Sequence, residues 1–186
     1  MTLSQRLFFS NSFLRHAAFN KLLTVLTNNQ LITMQVPVIR LLASLAKVAS
    51  DNVGALISRN VASCFSNLLK HKNPQMLLEV CVALKEFLRA GQKESESLLQ
   101  QDELITALLQ TGEDGQKEVQ REVSSCVAQL CLTACPSTLE TRLLSRTSLL
   151  PLFSSSLRRD NPHPDSLCLV LRALHHLLAT CPSLQP

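Results

Sequence analysis

The 186 residues carry 18 Lys and Arg against 14 Asp and Glu, a net charge of +4 that is too mild and too dispersed for a dedicated nucleic-acid binder, whose basic residues gather on one face. Hydrophobic residues make up 46% and charged residues 17%, which excludes a disordered chain and suits one domain with a sizeable core. Seven cysteines, an odd number placed mostly within apolar stretches, speak against a secreted disulfide framework and read as small buried hydrophobes in a reducing compartment.

With only 4 Gly and a dominance of leucine, the chain reads as all-α. Residues 1–12 form an apolar lead-in around Leu7, Phe8 and Phe9, with no long apolar core and no small-residue cleavage pattern. A helix is expected over Phe13–Thr27, ended by Asn28-Asn29-Gln30. A second is expected over Val36–Ser50, with Pro37 in its first turn, where a missing N–H is harmless. Val53–Lys70 follows as one helix, with Val53, Ile57, Val61, Phe65 and Leu69 stepping by four. Asn73-Pro74 is a start signal, an N-cap followed by proline at the first helical position. The helix behind it buries Leu77, Val80, Cys81, Leu84, Phe87 and Leu88, and Gly91 closes it. Gln92–Ser97 reads as a polar linker, Leu98–Gln110 as a helix interrupted near Asp102, and Gly112–Gly115 as a loop.

The clearest helix is Gly115–Cys135. Val119, Val123, Val127 and Cys131 recur every four residues, with Cys126, Leu130 and Ala134 beside them, while Glu118, Arg121, Glu122 and Gln129 take the other face. Pro136-Ser137 stops it. Short helices are expected over Leu139–Ser145 and over Leu149–Leu157, the latter with Pro151 in its first turn. After Asn161-Pro162-His163-Pro164 a last helix runs to Thr180, with Leu167, Val170, Leu171, Leu174, Leu177 and Leu178 inward. No apolar run approaches the roughly 20 residues needed to span a bilayer, so a soluble, intracellular protein of cytoplasm or nucleus is expected.

Four long helices share one pattern. They align on Leu45, Leu84, Leu130 and Leu174, at spacings of 39, 46 and 44 residues, and the residue three before each is apolar: Leu42, Cys81, Val127 and Leu171. A period of about 40–47 residues is that of helical repeats whose stacked units share a continuous core. Several segments resemble armadillo repeats in detail. Thr147–Phe153 resembles the entry to an armadillo second helix, as Val53–Ile57 does less closely. Glu118-Val119-Gln120-Arg121-Glu122-Val123 resembles the start of a third helix, and Asn73-Pro74 and Asn161-Pro162 occupy the loop before one. HEAT repeats grade into the same pattern. The resemblance implies a right-handed all-α solenoid of about four armadillo/HEAT-like units, approximately 1–50, 51–91, 92–135 and 136–181, in a single domain.

In importin-like armadillo proteins the third helices line a concave groove with Trp and Asn ladders that hold basic peptides. The Trp level here reads Ala43, Val82, Ala128 and Arg172, and the Asn level reads Lys47, Glu86, Leu132 and His176, so neither ladder exists. What remains is a mixed strip, Lys47, Val82, Glu86, Ala128, Leu132, Arg172 and His176, with Val82 and Leu132 as apolar anchors. Such a strip suits a partner helix or extended peptide, or else it packs on neighbouring helices.

The other eye-catching residues carry less. His175 and His176 point about 100° apart on a helix, which predicts one groove-facing and one surface imidazole. Cys131 and Cys135 are four apart, but no His pair stands at structural-zinc spacing. Lys70-His71-Lys72 and Arg158-Arg159 suit solvated helix ends, and Ser154–Ser156 suits a surface helix. No converging acid, base and nucleophile set exists, and no phosphate loop, so no catalytic, cofactor or metal residue is assigned. The function expected is a non-catalytic scaffold for protein partners. A nucleic-acid-associated HEAT-like module using the short basic patches is the alternative. A last helix with an uncapped apolar face also predicts either a longer solenoid or a homodimer. The leucine- and cysteine-rich, Trp-free character resembles the armadillo-like arrays of meiosis inhibitor proteins, which implies a role in meiotic chromosome breaks and synapsis.

Overall fold

Helical spacing of leucine governs the chain throughout the residues that the computed structural model describes: 17–48, 50–146, 149–158 and 163–181. Among these no strand occurs. The helices are α1 (Ala17–Thr27), α2 (Ile32–Val48), α3 (Ser50–Ser58), α4 (Val61–Leu69), α5 (Pro74–Leu88), α6 (Gln92–Leu99), α7 (Asp102–Asp114), α8 (Lys117–Thr133), α9 (Pro136–Leu139, continued by a π-helical turn over Glu140–Leu144), α10 (Leu149–Leu157) and α11 (Pro164–Thr180).

They pack in three rows. The long helices α2, α5, α8 and α11 lie side by side in that order. The medium helices α1, α4, α7 and α10 form a second row, and the short α3, α6 and α9 a third. This is the right-handed α-solenoid expected from the repeat. Its apolar interior is one contiguous cluster running from Phe19 to Cys181. Each large side chain fully buried there contributes roughly 1.5–3 kcal/mol relative to exposure. Polar bonds join successive units: Thr111 Oγ1 donates to the Leu69 carbonyl at 3.1 Å and Ser125 Oγ donates to Ser166 Oγ at 3.2 Å, while within one unit Ser95 and Thr133 share a hydroxyl bond of 2.8 Å.

Several boundaries differ from the sequence reading. The second helix begins at Ile32, so Pro37 lies inside it rather than in its first turn. The earlier start has a local cause. Asn28 Oδ1 accepts from the Gln30 N–H at 2.9 Å, a 3-10 turn over Asn29–Leu31 follows, and Gln35 reaches back to the end of α1. Val53–Lys70 is two helices, because Asn60 adopts the left-handed conformation (φ 66°) and turns the chain between α3 and α4. Gln92–Ser97 is helical, not a linker. Its polar residues serve a short helix that buries only Ser95, Leu98 and Leu99. Gly112 to Asp114 continue α7 instead of forming a loop. Gly112 sits where a Cβ would come within 2.8 Å of Leu152 and 2.9 Å of Val123, so its lack of a side chain lets α8 and α10 approach. Pro136 stops α8 as expected and also opens α9. The lead-in 1–12, the start of the first helix before Ala17 and the Asn161-Pro162 signal lie outside the described residues.

The last helix buries a narrower face than expected. Val170, Ala173 and Leu177 are buried, whereas Leu171 and Leu178 are exposed, and Leu167 and Leu174 are half-buried. The reason is positional. Helix α11 packs on α8 and α10, and no further long helix stands beyond it among the described residues.

Gly54 offers a clean test of local propensity. It lies on the exposed side of α3, and a Cβ there meets nothing closer than Glu94 Oε1 at 3.8 Å. Gly54→Ala is expected to stabilise the protein by about 0.5–1 kcal/mol, read as a higher urea midpoint at unchanged m-value.

Candidate functional site

The strip predicted along the long helices divides into three parts. Lys47 on α2 and Val82 on α5 are exposed, Val82 to 41%. Glu86 is half-buried and bound to Arg89 at 2.6 Å. Ala128 is fully buried and offers no contact surface, which corrects its place in the strip. The cause is crowding on α8, where every residue from Val123 to Ala128 is buried between α5, α7, α10 and α11.

Glu79 on α5 and Glu122 on α8 are already engaged. Glu79 takes Arg40 of α2 at 2.5 Å, and Glu122 takes Lys85 of α5 together with Arg121 at 3.5 Å. Partly exposed pairs like these add only about 0–1 kcal/mol each. The Arg40–Glu79 and Lys85–Glu122 pairs do join adjacent long helices.

The three remaining strip residues come together. Leu132 of α8, with Arg172 and His176 of α11, lines an open groove of about 620 Å³ that also includes Pro164, Leu167, Cys168, Leu171 and His175. The interdigitation of α8 and α11 positions these side chains. Residues Cys168, Leu171 and His175 recur at helical spacing along the open edge of α11, while Val170, Ala173 and Leu177 seat the helix on α8. The wall is apolar, with Leu132, Leu167 and Leu171 as its greasy part. Arg172 and two imidazoles supply the polar rim. Among the described residues no carboxylate forms an ion pair with Arg172.

Two readings of this region change. Both His175 and His176 line the groove, since it is wide enough to span an arc of about 100°. Leu171 was placed inward and is instead part of the groove wall. The signal that could have found it is the seven-residue interval to Leu178 on the helix that ends the described array.

The cysteines are mostly packing residues. Cys64, Cys81, Cys126, Cys131 and Cys181 are buried. Burial, and then the nearby Cys181, push the Cys131 thiol up to about 12. Cys81 is raised by its contact with Cys126 and then by burial, and Cys126 Sγ donates to the Cys81 carbonyl at 3.2 Å. Cys131 and Cys135 do not face one ligand, because Cys131 is enclosed. Cys135 is half-buried, and its bonds to Ser137 hold its thiol below the usual value. Among the described residues no three His, Cys, Asp or Glu side chains converge to hold a metal.

A second cavity, also about 620 Å³, lies where the α4–α5 turn meets the end of α7. Lys70, His71 and Lys72 line it, but so does Asp114, so the basic trio does not present a single-sign surface. No described helix is long and apolar enough to cross a membrane.

No protein family matches the chain, and no curated protein matches it. Solved structures do. An engineered protein superposes with a TM-score of 0.73 at 18% identity, covering 88% of this chain and 64% of its own. Computationally designed armadillo repeat proteins for modular peptide recognition give 0.72 at 13% identity, over 88% of this chain and 66% of theirs. A further designed armadillo repeat protein gives 0.71 at 14% identity, over 86% and 64%. The chain therefore spans less than two thirds of each of these, and it shares their fold.

Proposed function

We propose that this armadillo-type solenoid is a non-catalytic scaffold that binds a helix or extended peptide of a protein partner along its row of long helices. The observation that carries the reading is the groove between α8 and α11. Leu132 and Leu171 offer an apolar seat, and Arg172 and His176 flank it as donors. Val82, exposed two helices away, is a second anchor on the same row. The likeness to proteins designed for modular peptide recognition supports the same use of this architecture. Arg172, which has no ion-pair partner among the described residues, favours a segment with an acidic residue beside its apolar anchors, unlike the basic peptides that Trp and Asn ladders hold. The finer reading places this binding inside the cell, in meiotic chromosome processes.

The test is selection of binding segments from a displayed peptide library, followed by titration against Val82→Asp and Arg172→Glu. Both sites are exposed, so both variants are expected to fold as the parent does. Each is expected to weaken the selected segments about tenfold or more, the effect of losing about 1.4 kcal/mol at an anchor. Unchanged affinity in both folded variants would refute the site. For the meiotic part, the tagged chain is expected on chromosomes in meiotic prophase, and its exclusion from them would remove that role.

A further inference from the structure

Among the described residues, the two ends of the array carry matching exposed apolar faces. On α2, Met34, Leu41 and Val48 stand at seven-residue intervals and are 54%, 39% and 38% exposed. On α11, Leu171 and Leu178 stand at the same interval and are 49% and 57% exposed. Exposed large apolar residues at helical spacing usually mark contact surfaces.

The internal joints show what each face is for. Counted from the shared anchor leucine, Leu41 and Val48 hold the places taken by Val80 and Phe87 on α5, which are fully buried. In α8 the first of these places is Cys126, whose Sγ donates to the Cys81 carbonyl of the preceding long helix. These places therefore face the preceding unit. Leu171 holds the place of Cys81 itself and of Val127, both fully buried, and so faces the following unit. Leu178 matches Leu88 and Ala134, also buried. The α2 face is thus the second half of a joint whose first half is the α11 face. Both continue the packing that already joins α2 to α5, α5 to α8 and α8 to α11.

We propose that a second copy of this chain docks head to tail, the α2 face of one copy against the α11 face of the next. The assembly reproduces an internal joint between chains. It is heterologous, so it grows into an open row or closes into a ring rather than stopping at a two-fold dimer. Exposed apolar outer faces keep such arrays from staying separate, and among the described residues both outer faces carry large exposed apolar side chains.

The experiment uses the full chain in sedimentation velocity and light scattering across the micromolar range. Wild type is expected to show a mass that rises with concentration above the 20.6 kDa monomer. Leu41→Glu blocks the α2 face, and Leu178→Glu blocks the α11 face without entering the groove described above. Each variant alone is expected to remain monomeric, with wild-type helicity by circular dichroism. Mixed in equal amounts, they are expected to form a complex of twice the monomer mass that grows no further, because each still offers one intact face. A wild type that stays monomeric at every concentration overturns the proposal. So does self-association of either variant alone, which would indicate a two-fold contact or another occupant of one face. Leu171 belongs to both the groove and the α11 face, so peptide affinity is measured below the concentrations at which wild type assembles; there Leu178→Glu is expected to leave it unchanged, and failure here is distinguishable from failure of the groove.

Discussion

Phe65→Ala is expected to lower stability by about 3–5 kcal/mol, a large share of the roughly 5–15 kcal/mol typical of a domain. Phe65 sits on α4 and is fully buried, and its ring lies 5.5 Å from that of Phe87 on α5, tilted by 51°. That geometry adds about 0.5–1.5 kcal/mol beyond area burial. Phe87 also holds a place facing the preceding long helix, so the ring pair ties the second row to the first at an inner unit of the array. Removing one ring leaves a cavity that helices held on several sides cannot close. Urea unfolding followed by circular dichroism reads the effect as a lower midpoint. In a repeat array a falling m-value would show that the units near α4 and α5 open separately from the rest. Phe65→Leu is expected to recover part of the loss. A shift below about 1 kcal/mol for Phe65→Ala would mean that this junction does not carry the array.

Gln35→Leu is expected to cost about 1–3 kcal/mol, although it makes a buried position more apolar. Gln35 is fully buried on α2. Its Nε2 donates to the carbonyls of Val25 at 3.3 Å, Leu26 at 3.2 Å and Asn28 at 3.2 Å, with two N–H hydrogens shared among three acceptors. The first two belong to the last turn of α1, where a helix leaves its carbonyls without internal partners. Leucine fills the space and removes the side-chain donor of the Leu26 carbonyl, while the Val25 and Asn28 carbonyls are weakened but keep backbone N–H donors, from Asn28 at 3.3 Å and from Leu31 at 3.0 Å. One effect opposes the loss. Gln35 Oε1 accepts no bond from the described residues, so removing it relieves one unsatisfied acceptor. Three weakened acceptors outweigh one. Amide exchange distinguishes the mechanism: α1 is expected to lose protection while α5 and α8 keep theirs. Equal loss throughout would point to a general packing defect.

Much of the architecture was legible because it rests on periodicity. The apolar residues of Gly115–Cys135 recur every three or four positions, and the corresponding helix α8 buries that set. Leu149–Leu157 was expected as a helix with Pro151 in its first turn, and the described helix spans the same residues. Failures fell where a local signal had two meanings. Gln92–Ser97 is polar enough for a linker, yet a polar segment packed on one side is also a short helix. Pro37 marks an N-terminus only when no earlier cap exists, and Asn28 supplies one. Asn60 gives no warning of its left-handed turn, because Asn also occurs within regular helices.

The site was legible in its chemistry and not in its assembly. Leu132, Arg172 and His176 were marked by register and do share a groove, whereas Ala128, marked by the same register, lies beneath the surface. Register gives direction around a single helix. Depth depends on how many neighbours surround that helix, and α8 is covered on more sides than α11.

The sequence by itself determined that this chain forms stacked helices with a shared seam, because a repeated leucine spacing has no other way to leave water. Only the tertiary structure decided which of those leucines stay wet. Leu42 and Leu171 occupy equivalent places, and one is enclosed while the other is exposed, since burial belongs to the neighbour that covers a side chain and not to the residue.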